Sequence, residues 1–124
     1  MLVVDAANVV GSRPTGWWRD RAGAARSFVE GLRASVAAGR LTGPVTVVLE
    51  GKARAGAPSG TADGVAVVHA EGSGDDALVD VVRHAAASED EKVVLVTADR
   101  GLRGRAEALG AAVVGPKWLL ERLA

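Results

Sequence analysis

The chain has 124 residues, of which 48% are hydrophobic, with 15 basic and 15 acidic side chains in exact balance. That length suits one domain with a real core, which argues against wholesale disorder, and zero net charge argues against a polycation binding by bulk charge. With no cysteine and only His69 and His84, disulfide scaffolds, Cys-ligated zinc, thiol nucleophiles and His-rich metal sites are excluded.

No apolar run approaches the ~18 residues of a membrane span. Met1 leads straight into Leu2, Val3 and Val4 without a basic flank, so no signal peptide is expected and the expected location is cytoplasmic. Arg outnumbers Lys, a bias that a GC-rich genome often produces. The neutral total hides two poles. Six Arg between Arg13 and Arg40 face only Asp20 and Glu30, whereas Arg83 is the one base among the acids between Asp63 and Glu91. Two solvated faces would explain this, as would a basic surface beside an acidic cluster.

In chain order, residues 2–4 form an apolar run that ends at Asp5 and reads as a buried strand. Residues 11–16 read as a loop. Across 18–38, Ala22, Ala25, Phe28, Val29, Leu32 and Val36 recur at three- and four-residue steps, predicting a helix that Gly39 stops. A strand follows at 45–49. The Gly-rich stretch 51–64 predicts a long mobile loop. A third strand at 65–69 is followed by a turn at 72–74 and a helix over 75–87. The spacing then predicts a strand at 92–97, a helix at 100–109 closed by Gly110, a strand at 111–114 and a short helix from Pro116 to 123. Nearly every strand is continuously apolar, as in a parallel sheet covered on both faces. The expected fold is a three-layer, Rossmann-like α/β domain with a mainly parallel central sheet of about five strands.

Sites in such sheets form beyond the carboxyl ends of the strands. There the chain places Asp5 and Asn8 after the first strand, Asp75 and Asp76 after the third, and Thr97, Asp99 and Arg100 after the fourth. Asp80 lies one helical turn beyond Asp76. Asp75, Asp76 and Asp99 also suit helix starts, Asp80 suits a solvated helix face and Asn8 suits a turn. Asp5 is harder to explain that way, because a carboxylate closing an apolar strand is costly to bury without a partner. Converging carboxylates repel unless a cation neutralises them. Oxygen-only ligands favour Mg²⁺ or Mn²⁺, and such a site activates water against a phosphoryl group. Glu89 is an acid outside this pocket.

Other chemistries fit worse. There is no Walker-type phosphate loop and no dinucleotide-binding glycine fingerprint after the first strand. The serines lack a nucleophile elbow, and His69 and His84 lack a triad setting. A response-regulator receiver needs an acceptor Asp after its middle strand, where Glu50 or His69 falls here.

The order and spacing of Asp5-x-x-Asn8, Gly74-Asp75-Asp76-Ala77-Leu78-Val79 and Thr97-Ala98-Asp99-Arg100-Gly101-Leu102 resemble the NYN branch of the PIN-like nucleases, over nearly the whole chain. The resemblance implies a single PIN-like domain over 1–124 and metal-dependent phosphodiester hydrolysis, usually of RNA. It implies catalytic roles for Asp5, Asn8, Asp75, Asp76 and Asp99, with Mg²⁺ or Mn²⁺ on Asp5, Asp99 and one of the paired acids, Asp76 being the expected ligand. Thr97, Asp80 and Arg100 would support the cluster. Arg103 stands where some members carry a further acid, which speaks against a second tightly held metal.

The basic segment then acquires a use. Arg13, Arg19, Arg21 and Arg26 would contact phosphates, with Lys52 and Arg54 adding to them from the Gly-rich loop. Trp17 and Trp18 would offer a stacking platform, Trp17 being assigned to nucleic acid. The expected partner is RNA, single-stranded rather than duplex, with a homodimer also open. Two rival readings are a non-catalytic RNA-binding module on the same fold and a toxin–antitoxin-like partner protein.

Overall fold

The structure is a computed structural model that describes residues 1–88 and 90–123, so Glu89 lies outside the described residues. Strand β1 (Leu2–Asp5) runs into α1 (Ala6–Gly11), a 3₁₀ turn (Trp17–Arg19) and α2 (Arg21–Ala37). Then come β2 (Val45–Leu49), a 3₁₀ segment (Gly51–Gly56), β3 (Gly60–Ala62), β4 (Val65–His69) and α3 (Gly74–Ala86). The chain closes with β5 (Val94–Val96), α4 (Arg100–Ala108), β6 (Ala112–Val114) and α5 (Pro116–Leu123). No helix among the described residues is long and apolar enough to cross a membrane.

The sheet has six strands in the order β3-β4-β2-β1-β5-β6. All pairings are parallel except that of the edge strand β3, which runs antiparallel to β4. The continuous apolar strands are therefore central and buried, as their sequence requires. Side chains alternate across the sheet. Leu2 and Val4 join Val9, Phe28, Leu32 and Leu119 in the layer under α1, α2 and α5. Val3 turns the other way, to Leu78, Val82, Leu95 and Leu102 under α3 and α4. By the same alternation Asp5 projects to the α3/α4 side of the strand end.

Strand order reverses at β1. From it the chain moves to β2 and β4 on one side, then returns to β5 and β6 on the other. In open α/β sheets the ligand crevice lies at such a reversal, outside the carboxyl ends of the strands. Because Val4 pairs with Val96, Thr97 emerges from β5 directly beside Asp5.

The segment 51–64, expected to be a long mobile loop, is ordered and supplies the sixth strand. Gly51, Gly60 and Gly64 adopt positive φ, whereas Gly56 serves close packing. A Cβ on Gly56 would stand 2.8 Å from the Cβ of Ala25 and 2.9 Å from the backbone nitrogen of Arg26, and closer still to the carbonyl of Ala22. The missing side chain is what lets the 3₁₀ segment lie against α2. Gly56→Ala must push two backbones apart, which costs about 1–3 kcal/mol. Gly31→Ala, in the same helix with open space around it, should instead stabilise by about 0.5–1 kcal/mol. Urea unfolding of the two variants measures both, and a neutral Gly56→Ala would mean that the segment packs loosely.

Candidate active site at the carboxyl edge of the sheet

Asp5 ends β1 at the strand-order reversal and is only 6% exposed. Its Oδ2 accepts the Thr97 hydroxyl at 2.8 Å, and its Oδ1 accepts the backbone N–H of Asn8 at 3.3 Å, capping α1. The Thr97 oxygen in turn accepts the N–H of Asp99 at 3.1 Å. The Asn8 side-chain oxygen accepts the N–H of Ala98 at 2.9 Å. Asp99 Oδ1 accepts the N–H of Leu102 at 2.9 Å, capping α4. Asp5, Asn8, Thr97 and Asp99 thus form one hydrogen-bonded network that ties the end of β1 to the end of β5. Asp99 caps α4, as its place before a helix allows, and Asp5, which the sequence sets apart as a strand end, caps α1 as well.

Two more acids bear on this network. Asp75 lies exposed in the first turn of α3. Glu50 follows β2, and its Oε2 accepts the N–H of Gly74 at 2.8 Å, at the start of α3. A Cβ at Gly74 would come within 2.6 Å of that oxygen, so the glycine lets the carboxylate keep this bond. Sequence reasoning weighed Glu50 only as a misplaced receiver acid. The signal available was the one that singled out Asp5, an acid directly following a buried apolar strand.

The electrostatics are those of uncompensated negative charge. Burial pushes the Asp5 carboxyl above the ordinary value of 3.8; the bonds from Thr97 and Asn8 pull it back, and the charges of Asp75 and Glu50 raise it again. The Asp75 carboxyl is raised too, by partial desolvation first and then by Asp99 and Glu50, with Arg105 acting in the opposite direction and Asp76 adding to the rise. Four acids, Asp5, Glu50, Asp75 and Asp99, therefore share one field at the strand ends.

Asp76 and Asp80, expected beside Asp5, are turned elsewhere. Asp76 pairs with Arg105 of α4 at 3.0 Å, and Asp80 pairs with Arg83 one turn along α3 at 2.8 Å. Both line a broad groove of ≈ 850 Å³ with His69 and His84. Of the paired acids it is Asp75 whose charge reaches Asp5, because neighbours on a helix point ~100° apart and α3 presents only one of them to the crevice. Arg100 is exposed at the start of α4, and it is Arg105 of the same helix that meets an α3 carboxylate.

The expected nucleic-acid residues divide likewise. Arg13, Arg19, Arg21, Arg26 and Lys52 are exposed. Arg19 lies 5.8 Å from the Trp18 ring centre, and Arg21 lies 5.6 Å from that of Trp17. Arg54 donates to the carbonyls of Gly51 at 3.0 Å and Ala70 at 3.4 Å, bracing the 3₁₀ segment against the end of β4. Trp17 is half-buried beside α1, whereas Trp18 is 56% exposed.

The donors around Asp5 are all oxygens and carry excess negative charge, which suits a hard divalent cation. Among the described residues, however, no group of three or more His, Asp or Glu side chains is spaced to hold a metal ion as it stands.

No protein-family model matches the chain, and no curated protein matches it in sequence. The structure does find a relative in shape. In fold, the chain is similar to Rae1 (YacP) from Bacillus subtilis. The match has a TM-score of 0.70 at 16% identity and covers 98% of this chain and 72% of Rae1. At that identity the likeness to Rae1 is one of fold, a mixed α/β, Rossmann-like arrangement.

The raised Asp5 carboxyl has a measurable sign. Below pH 3.8 Asp5 is protonated in both the folded and the unfolded chain and does not affect stability. As pH rises through the higher folded value, the native state must carry a poorly solvated charge that the unfolded state solvates well, so stability falls. Asn keeps the size and the capping ability but not the charge. Asp5→Asn should therefore melt above wild type at pH 7 in EDTA, and the gap should narrow as pH is lowered towards 4. A variant that melts lower than wild type by the same margin at every pH would contradict the buried-charge account.

Proposed function

We propose that this chain is a PIN-like, NYN-type ribonuclease that hydrolyses phosphodiester bonds with Mg²⁺ or Mn²⁺. The observation that carries the reading is the buried Asp5 carboxylate at the strand-order reversal, with Asp75 and Glu50 in its field, Asp99 in that of Asp75, and no cationic partner of its own among the described residues. Such an arrangement is costly for a fold to keep unless a ligand completes it.

Asp5, Asp75 and Asp99 would hold the cation, with Glu50 beside them, in place of the Asp76 expected from the sequence. Mg²⁺ commonly takes only one or two carboxylates and keeps several waters, so the lack of a ready three-carboxylate cage does not exclude it. When bound, the cation supplies charge stabilisation to the phosphoryl group and makes water a better nucleophile. Thr97 and Asn8 fix the Asp5 carboxylate through hydrogen bonds, so its oxygens are aimed before any ligand arrives. Asp99, fixed by its cap to α4, does the same from the other side of the crevice. Arg13 and Arg19, on the connection between β1 and α2, and Arg21 at the start of α2 would guide the phosphate backbone towards these acids.

A second reading, a non-catalytic RNA-binding module on the same fold, is favoured by one observation, the absence of a ready three-ligand group among the described residues. Cleavage separates the two. Wild type should cleave single-stranded RNA in Mn²⁺. Asp5→Asn and Asp99→Asn should each lower the rate by at least ~100-fold, the scale of several kcal/mol of lost transition-state stabilisation. Glu107→Gln, at an exposed pair with Arg103 on the far turn of α4, should cleave normally. Millimolar Mn²⁺ should also raise the melting temperature of wild type and do so less for Asp5→Asn, because a ligand of the native state stabilises by mass action. Metal-independent melting with no cleavage would leave the binding module as the better account.

The basic segment gives a separate test. Arg13→Ala combined with Arg19→Ala should weaken RNA binding and reduce the slope of log K against log salt by about 1.4, roughly 0.7 per single-strand phosphate contact. The Mn²⁺ stabilisation should persist. An unchanged salt slope would place the path of the strand elsewhere.

A further inference from the structure

A second cavity adjoins the acids and is not required by the chemistry above. It measures ≈ 450 Å³ and lies between α1, α2 and the 3₁₀ segment, with Leu49 and Ala25 in its floor and Ala24 in its wall. Trp17 and Arg21 also line it, and so does Glu50. Its size falls within the ~300–1,000 Å³ of ligand sites, as does its makeup of mostly apolar walls with few polar groups. Alanines along the facing sides of α1 and α2 leave the space open. The Trp17 indole is held in one orientation by an edge-on contact with Trp18, with ring centres 6.1 Å apart at 89°.

Glu50 joins the cleft to the acids. It lines the cleft, and its carboxylate accepts the Gly74 N–H at the start of α3, next to Asp75. A ligand that fills the cleft therefore has one end beside the start of α3. It needs a flat apolar body, one edge able to meet Arg21 or the Glu50 carboxylate, and an anionic portion suited to the exposed Arg13, Arg19 and Arg26 nearby. We propose that the cleft is the base-binding subsite of the site above, taking one unstacked nucleobase of a single strand whose phosphodiester lies at Asp5 and Asp99. This rests on the phosphodiester reading of the acids and adds to it a reason for single-strand preference. A base in a duplex is stacked and paired and cannot enter such a cleft, whereas recognition of single strands proceeds by splayed bases against aromatic rings.

The test separates base from phosphate. Wild-type protein is titrated by fluorescence anisotropy, in EDTA and again in Ca²⁺, with an end-labelled octaadenylate and with a strand of equal length and charge whose riboses are all abasic. The octaadenylate should bind at least ~5-fold more tightly, the lower bound for stacking one base. Ala24→Leu, which fills the cleft from a helix position that tolerates leucine, should abolish that advantage and leave the abasic strand's affinity as it was. Trp17→Ala should act in the same direction, and circular dichroism confirms that each variant is folded. Equal affinities for the two strands in wild type would overturn the proposal. So would an advantage that survives in Ala24→Leu, or failure of both strands to bind. Mn²⁺-dependent cleavage that persists in any of these cases would leave the nuclease reading intact. A base advantage without any cleavage would retain the cleft and remove the nuclease.

Discussion

The hydrogen bond from Thr97 to Asp5 joins the two halves of the sheet at the point where strand order reverses. One side of the molecule is built by β2, β3 and β4, the other by β5 and β6, and β1 is the only strand between them. Its last residue is a carboxylate that has lost most of its water. Thr97 and the Asn8 amide replace part of that hydration, and a backbone amide of the next helix start is held by the same threonine oxygen. The positions of α1 and α4 at the crevice follow from how this one charge is satisfied.

The partial satisfaction matters as much as the bonds. Two hydrogen bonds are fewer than a carboxylate accepts in water, and the nearest charges are negative. A structural carboxylate in a core is normally paired. This one is solvated on one side by donors and left open towards Asp75, Glu50 and Asp99 on the other. The helix starts at Asp99 and Asp75 point their positive ends at the crevice and ease the repulsion without removing it.

Much of this was legible in the sequence, for identifiable reasons. Continuous valine runs allow little but buried parallel strands, so β1, β2 and β4 follow closely. Asp5, Asn8 and Asp99 are fixed by strand ends, which sequence locates well. The choice between Asp75 and Asp76 lies in the periodicity of α3: Asp75 stands three, four and seven residues before Leu78, Val79 and Val82, on the face that packs against the sheet, a signal that the adjacency of the two acids hides. Glu50 was masked by the glycines that follow it, and those glycines were read as freedom. Gly56 shows the opposite, since in a tight contact a missing Cβ permits density. Arg54, expected to contact phosphates, donates to two nearby carbonyls, and no pattern of charges along the chain reveals that.

The contact between Glu50 and Gly74 makes two distant positions a single unit of inheritance. A side chain at residue 74 would meet the carboxylate at residue 50, so the glutamate would have to swing aside and give up the bond that anchors the start of α3. A shorter residue at 50 leaves room for that side chain but gives up the same bond. Substitutions at the two sites should therefore be tolerated together more readily than apart. Genetic suppressors of a damaged position 74 would be sought first at position 50, twenty-four residues away in sequence and in direct contact in the fold.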